Sequence, residues 1–185
     1  MTTALLLMDF QNGIAGRHPE AASAVAAAKT ALDAARTHGV PVVFVRVAFR
    51  DGLPEVSARN KGFGAIKGSD QAAHFVESSP ATQIVDVLAP RSGEAVVVKR
   101  RIGAFASDLA VVLSGLGATD LVLAGVSTSG VVLSTVRDAA DRDFGLTVLA
   151  DACFDADPEV HRVLTEKLFP RQADVTTADS WTASL

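Results

Sequence analysis

Short runs of apolar residues recur along this 185-residue chain, and each is stopped by a polar or flexible residue. They are Ala4–Met8 (ALLLM), Val40–Val47 (VPVVFVRV), Ala95–Val98 (AVVV), Leu121–Ala124 (LVLA) and Gly145–Ala150 (GLTVLA). Ala173–Thr177 is a weaker sixth. A strand with one wet face alternates apolar and polar residues, so near-continuous runs predict strands buried on both faces. Between them lie stretches of helical length. Glu20–His38 is alanine-rich and closed by Gly39, and Ala106–Leu116 is closed by Gly117. A third runs from about Ser129 to Arg142, and Pro158 opens a fourth that runs to about Leu168. The alternation predicts an α/β fold: a three-layer α/β/α sandwich, Rossmann-like, with a largely parallel six-stranded sheet in a single domain over 1–185. Phe49 to about Ser79 is predicted as a long irregular connection, Ala81–Leu88 as a short helix, and the residues after Thr177 as a short tail.

One stretch joins three of these signals. Leu121–Val132 reads LVLAGVSTSGVV: an apolar run, a break at Gly125, small hydroxyl residues, then helical periodicity. A buried strand turning tightly into a helix exposes backbone N–H groups, which can hold an anion or a developing oxyanion. In parallel sheets the ligand site lies beyond the carboxyl ends of the strands. Asp9 follows the first run, Lys99 the third, and the Gly125–Gly130 turn the fourth. An acid, a base and backbone donors are therefore predicted on one sheet edge. If Asp9 and Lys99 meet, the ammonium favours the carboxylate while burial opposes it, and that balance decides whether Asp9 starts as base or acid.

Each signal has a plainer explanation. An aspartate after a strand often forms a loop or a cap. Lys99 begins Lys-Arg-Arg, and such runs are usually solvated. A turn of small residues is common scaffolding in any α/β fold.

Composition excludes several classes. The chain is 49% hydrophobic and 21% charged with net charge −4, which fits neither a disordered chain nor a nucleic-acid binder. No apolar run approaches the roughly 18–20 residues that span a membrane. The N-terminal MTTALLLMDF has no basic segment or cleavage site, so a cytoplasmic location is expected. One cysteine, Cys153, rules out an internal disulfide and a four-thiolate zinc site. The four scattered histidines form no familiar ligand spacing, so no metal and no cofactor are expected.

MDFQNGI, VVVKRRIGAF and AGVSTSGVVLSTVRDAADRDF, in that order, resemble the signature blocks of isochorismatase-like hydrolases. The likeness extends through LTVLADACFDADPEVH. It implies a parallel six-stranded sheet, a small-molecule substrate and assembly as a homodimer or homotetramer. The cysteine hydrolases of that family, such as nicotinamidases and carbamoylsarcosine amidases, use an Asp–Lys–Cys triad. Asp9 and Lys99 match its first two members. Gly125, Val126, Ser127 and Thr128 fit the family's fourth-strand block, which implies a cis peptide at Val126–Ser127, and Val126, Ser127, Thr128, Ser129 and Gly130 are expected to hold the substrate. The cysteine position is occupied by Val131. Hydrolysis through a thioester is therefore disfavoured, because the turn hydroxyls have no evident histidine base and a lone cysteine such as Cys153 is more often packing than nucleophile.

The isochorismatases proper also lack that cysteine and resemble this chain in using a strand-end Asp and a Lys. There the Asp protonates a vinyl ether so that water adds to the resulting cation. Their fourth-strand block carries an aromatic residue and a histidine where this chain has Ser127 and Ser129, so isochorismate itself is not supported. By the same likeness Asn60, Phe63 and Phe105 are expected near the pocket, and Arg59, Arg100 and Arg101 are available for an anionic substrate. Metal-binding relatives place an Asp and histidines after the second strand; here Asp51 is followed only by the distant His74. Three readings stand. The chain is a hydrolase using Asp9 as general acid/base with Lys99 as charge partner, or an inactive paralogue that binds a small molecule or serves in assembly, or an amidase using Cys153 or a turn hydroxyl.

Overall fold

The computed structural model describes residues 2–185. Six parallel strands form one sheet: β1 (Thr3–Met8), β2 (Val42–Val47), β3 (Ala95–Lys99), β4 (Asp120–Val126), β5 (Gly145–Phe154) and β6 (Asp174–Thr176). Their order is β3-β2-β1-β4-β5-β6. The chain winds outward from β1 in one direction and from β4 in the other. The C-terminal ends of β1 and β4 thus make the switch point, where such sheets form a crevice.

Alternation along β1 explains why its sequence is apolar throughout. Ala4, Leu6 and Met8 join one core with Val43, Val45, Val97, Leu121 and Leu123, under the helices α3 (Leu109–Leu116) and α4 (Leu133–Ala140). Leu5 and Leu7 join a second core on the opposite face, under α1 (Ala22–His38). Ala24, Ala28, Ala31 and Ala35 form the buried stripe of α1, and their small side chains let it lie close to the sheet. Gly39 ends α1 at φ +70°, as the Gly39 cap signal predicts.

The chain between β2 and β3 is less irregular than predicted. Lys61–Lys67 forms α2, capped by the Asn60 side chain, which accepts from Phe63 N at 2.9 Å. Its two internal glycines hid it from a propensity reading. The helix expected over Ala81–Leu88 is instead two single 3-10 turns, Pro80–Thr82 and Asp86–Leu88. α3 begins at Leu109 rather than Ala106, because Ser107 and Asp108 form its approach. β5 runs past its predicted end at Ala150 to Phe154. The register with β4 shifts between Leu123 and Gly125, so that Cys153 stands opposite Gly125. After β5 come α5 (Pro158–Val163) and one π-helical turn, Leu164–Leu168. The predicted tail contains a further helix, α6 (Ala178–Thr182), which packs on α1 and β5 and buries Trp181. Asp151, inside β5, accepts from Ala178 N at 2.8 Å and starts that helix. Among the described residues no helix is long and apolar enough to cross a membrane.

Candidate active site

The first two predicted site residues meet. Lys99 Nζ lies 2.9 Å from Asp9 Oδ2, and both side chains are buried. This contact spans a strand, since β2 lies between β1 and β3 and adjacent strands are about 4.8 Å apart. Lys99 has the reach, and its position two residues after Val97 puts it on the same sheet face. Strict alternation would send Asp9 to the other face, with Leu5 and Leu7. Asp9 instead adopts φ +57°, a left-handed conformation that breaks the alternation and lets its carboxylate reach the lysine. Aspartate tolerates that conformation better than most residues, although it still costs about 1–2 kcal/mol.

The pair is asymmetric. Lys99 Nζ also donates to Arg101 O at 3.1 Å and Ile102 O at 2.9 Å, so each of its three protons has an acceptor. Asp9 Oδ1 is buried and has no hydrogen-bond partner. Burial pushes the Asp9 carboxyl up from 3.8 to about 6, with the Lys99 charge, the Lys99 hydrogen bond and the nearby Val47 N–H, itself bonded to Gln11 Oε1, pulling the other way. The result is a carboxyl that is partly protonated near neutrality.

Gln11, two residues on, fixes the loop that leaves β1. Its side chain accepts from Val47 N at 2.8 Å and donates to Val47 O and Thr82 O, each at 2.9 Å. Sequence reasoning quoted Gln11 only as part of a block. A fully buried amide with every bond made is positioning the site's entrance loop.

The turn after β4 forms as predicted, and the Val126–Ser127 peptide is cis. Thr128–Val132 then makes one π-helical turn before α4. Met8 pairs with Gly125 across β1 and β4, which brings the turn beside Asp9. Gly125 is required there: a Cβ would lie 2.8 Å from Met8 O and 3.2 Å from Val132 Cγ2. Two of the backbone donors expected to face a ligand are already engaged. Ser129 N donates to Asp155 Oδ2 at 2.7 Å, and Gly130 N donates to Ser127 Oγ at 3.1 Å. The open anion cradle expected over Ser127–Gly130 is thus closed at Ser129 and Gly130 by side chains that reach the same donors.

A histidine does approach the turn hydroxyls. His161 Nδ1 lies 2.9 Å from Thr128 Oγ1, joining residues 33 positions apart. The sequence offered no signal for this, since His161 sits on an ordinary helical pattern. Thr128 is fully buried, so the pair ties α5 to the turn.

The remaining expected residues disperse. Val131 is buried in the core with Met8, Ala104 and Phe105. Asn60 is the α2 cap. Phe63 packs edge-on against Phe49 at 5.1 Å, within a small cluster under the β2–β3 connection. Phe105 faces the core and carries the Arg142 guanidinium 4.5 Å above its ring. Arg100 is held by Ala48 O, Glu77 and Glu55, and Arg101 by Glu55 O and Arg100 O. Cys153 is buried in the sheet, and desolvation pushes its thiol up to about 12. Such a thiol stays protonated at neutral pH and is a poor nucleophile.

Two cavities open near the strand ends. One, of about 460 Å³, lies between the β1 exit loop (Gln11–Ile14, Arg17) and the segment Gln71–Thr82. The other, of about 490 Å³, lies between α1 and α5 and is lined by Asp151, Cys153, Asp155 and His161 among others. Neither is lined by Asp9, Lys99, Val131, Asn60, Phe63 or Phe105.

The comparisons give the family and the fold. The isochorismatase domain matches residues 3–180. The maleamate amidohydrolase of Pseudomonas putida is 29% identical over 180 residues, covering 94% of this chain and 82% of that protein. The probable inactive nicotinamidase At3g16190 of Arabidopsis thaliana is 30% identical over 168 residues, covering 86% and 84%. The solved structure of an isochorismatase family protein from Burkholderia thailandensis superimposes with a TM-score of 0.83 at 28% identity, over 100% of this chain and 95% of that one. A six-stranded parallel sheet and a domain match over nearly the whole length lead to one conclusion: the chain belongs to the isochorismatase family.

Proposed function

We propose that this protein hydrolyses a small organic molecule, with Asp9 moving the proton and Lys99 holding its charge in place. The observation that carries this reading is the orphaned Asp9 Oδ1. A buried polar atom without a partner costs about 1–3 kcal/mol, and a fold that keeps one beside a locked lysine keeps it available for chemistry. Val131 supplies no thiol, and Thr128, the turn hydroxyl that has a histidine beside it, is fully buried, so water is the nucleophile in this reading. The Asp9 carboxylate takes a proton from that water as its oxygen attacks the substrate. The neutral carboxyl then returns the proton to the departing nitrogen or oxygen, and Asp9 is charged again. With a vinyl ether the order reverses: neutral Asp9 protonates carbon first, water adds to the cation and gives its proton to the Asp9 carboxylate, and the hemiketal formed breaks its C–O bond to release the alcohol and a carbonyl. A carboxyl titrating at about 6 can begin either sequence. Lys99, with its protons committed to Asp9 and two carbonyls, acts through its charge.

The test is turnover across a panel of amides, ureido acids and vinyl ethers. Asp9→Asn should lower any activity found by roughly 10²–10⁴, while Cys153→Ala should leave it unchanged. Equal loss in both variants, or a Cys153→Ala enzyme that is dead, would end this reading.

A second reading is favoured by Val131 itself, which packs as core where a nucleophile is expected. One relative at 30% identity is itself described as a probable inactive nicotinamidase. On that reading the protein binds its small molecule and turns nothing over. Saturable binding with no product across the panel would establish it.

A further inference from the structure

We infer that Gln11 is a positioning residue for Asp9: its side-chain amide replaces the strand backbone that β1 withdraws at Asp9, and so holds Asp9 in the turned conformation that brings its carboxylate to Lys99. The hydrogen-bond ladder between β1 and β2 shows the replacement. Leu5 N donates to Pro41 O at 2.9 Å, and four residues further along each strand Asp9 N donates to Val45 O at 2.8 Å. A parallel ladder continued in this register would next join Val47 N to Asp9 O. Asp9 instead turns to φ +57°, and its carbonyl accepts from Gln11 N at 2.8 Å. Val47 N donates to Gln11 Oε1 at 2.8 Å, and Val47 O accepts from Gln11 Nε2 at 2.9 Å. One side-chain amide thus offers β2 the acceptor and the donor that a continued strand would have offered.

The amide also settles where the Val47 N–H goes. Val47 is buried, so its N–H needs an acceptor inside the protein. That N–H lies close enough to the Asp9 carboxyl to favour its charged form. Gln11 Oε1 and Asp9 therefore compete for one donor, and while Gln11 holds it Asp9 Oδ1 stays without a hydrogen bond. The second Nε2 proton goes to Thr82 O at 2.9 Å, which fixes the amide from the far side. A methionine at this position would fill much the same volume and offer Val47 neither bond.

As the holder of the Asp9 conformation, Gln11 needs no substrate. As part of the reaction, it rests on Asp9 being the group that moves the proton.

The experiment follows the Asp9 ¹³Cγ resonance of the intact protein from pH 4 to 8, assigned by its loss in Asp9→Asn. In Gln11→Met the freed Val47 N–H should turn to the Asp9 carboxylate, so that Asp9 titrates about one pH unit or more below the wild type. Gln11→Glu keeps an acceptor for the Val47 N–H and, when charged, repels the Asp9 carboxylate. There Asp9 should titrate at or above the wild-type value. Lys99, the charged group beside Asp9, is the same in every variant. Water admitted by a merely loosened loop would lower both variants alike. The wild type itself should show a scalar coupling across the hydrogen bond from Val47 ¹⁵N to Gln11 ¹³Cδ, a measurement that needs no variant to fold. An Asp9 titration unmoved in Gln11→Met, one lowered in Gln11→Glu, or no such coupling in the wild type would each overturn the proposal. All three are read without substrate. A chain with these results and no turnover on the panel would bring down the proton-transfer reading alone, and turnover beside any of the three contrary results would bring down this inference alone.

Discussion

Asp9 Oδ2 accepts from Lys99 Nζ at 2.9 Å, while Asp9 Oδ1, also buried, makes no hydrogen bond within the chain. The two oxygens of one carboxylate are therefore unequal. One is bound to a lysine that is itself fully coordinated, and the other is left for a ligand or a proton.

The raised Asp9 value makes stability depend on pH in a known direction. The unfolded chain releases this proton near 3.8 and the folded chain near 6. Between those values the unfolded state gains from ionisation and the folded state does not. Stability from this group is thus fully present below about pH 4 and lost as pH rises to about 6, a loss of about 3 kcal/mol. Asp9→Asn removes the effect. Denaturant unfolding from pH 4 to 8 should show the variant gaining on the wild type by that amount and then holding level. Parallel profiles would mean the carboxyl titrates normally.

Removing Lys99 acts on the same group from the other side. The ammonium is what pulls the Asp9 carboxyl down against desolvation. In Lys99→Met the carboxyl should titrate well above 6 and be neutral at pH 7, visible as a protonated-acid band in difference infrared spectra against Asp9→Asn. Arg101 O and Ile102 O also lose their donor, so a stability loss of about 1–3 kcal/mol is expected. A carboxylate still charged at pH 7 would show that water enters the site.

Gly125 tests the junction that sets Asp9 beside the turn. Gly125→Ala places a methyl 2.8 Å from Met8 O and 3.1 Å from Met8 Cβ, and both belong to the centre of the sheet. Overpacking of this kind costs about 1–3 kcal/mol, and rigid backbone on one side puts it at the upper end. Thermal unfolding should fall by several degrees, and any activity should fall with it. A melting temperature equal to the wild type would show that β1 and β4 can separate without penalty.

The sheet was legible because burial on both faces leaves a mark on every strand residue. Asp9 and Lys99 were legible for a related reason, each being the first polar residue where a buried run stops. What the sequence hid depends on contacts without a period. His161 meets Thr128 across 33 positions, and Asp155 reaches Ser129 across 26. Asp151 made β5 look finished, whereas its carboxylate turns outward to cap Ala178 and the strand continues. Cys153 is consequently a strand residue, opposite Gly125 and on the wall of the cavity between α1 and α5. The left-handed conformation of Asp9 is also invisible in composition, yet without it the predicted pair would face opposite sides of the sheet.

Val131→Cys asks whether the turn still serves a nucleophile. Valine and cysteine are similar in volume, and a buried thiol behaves as a small hydrophobe, so the change should cost less than about 1.5 kcal/mol. The new thiol would lie within the π-helical turn that follows β4, the strand paired with β1 just before Asp9, and the experiment reads whether the carboxylate takes its proton. Cys153 provides the internal control, because its thiol, pushed up to about 12, should resist iodoacetamide in the folded chain. In a Val131→Cys/Cys153→Ala protein, labelling by iodoacetamide and hydrolysis of simple amides should appear together, and Asp9→Asn should suppress both. A protein that folds and labels yet hydrolyses nothing would place the deficiency in the turn, where Asp155 and Ser127 already hold the Ser129 and Gly130 N–H groups that a developing oxyanion would need.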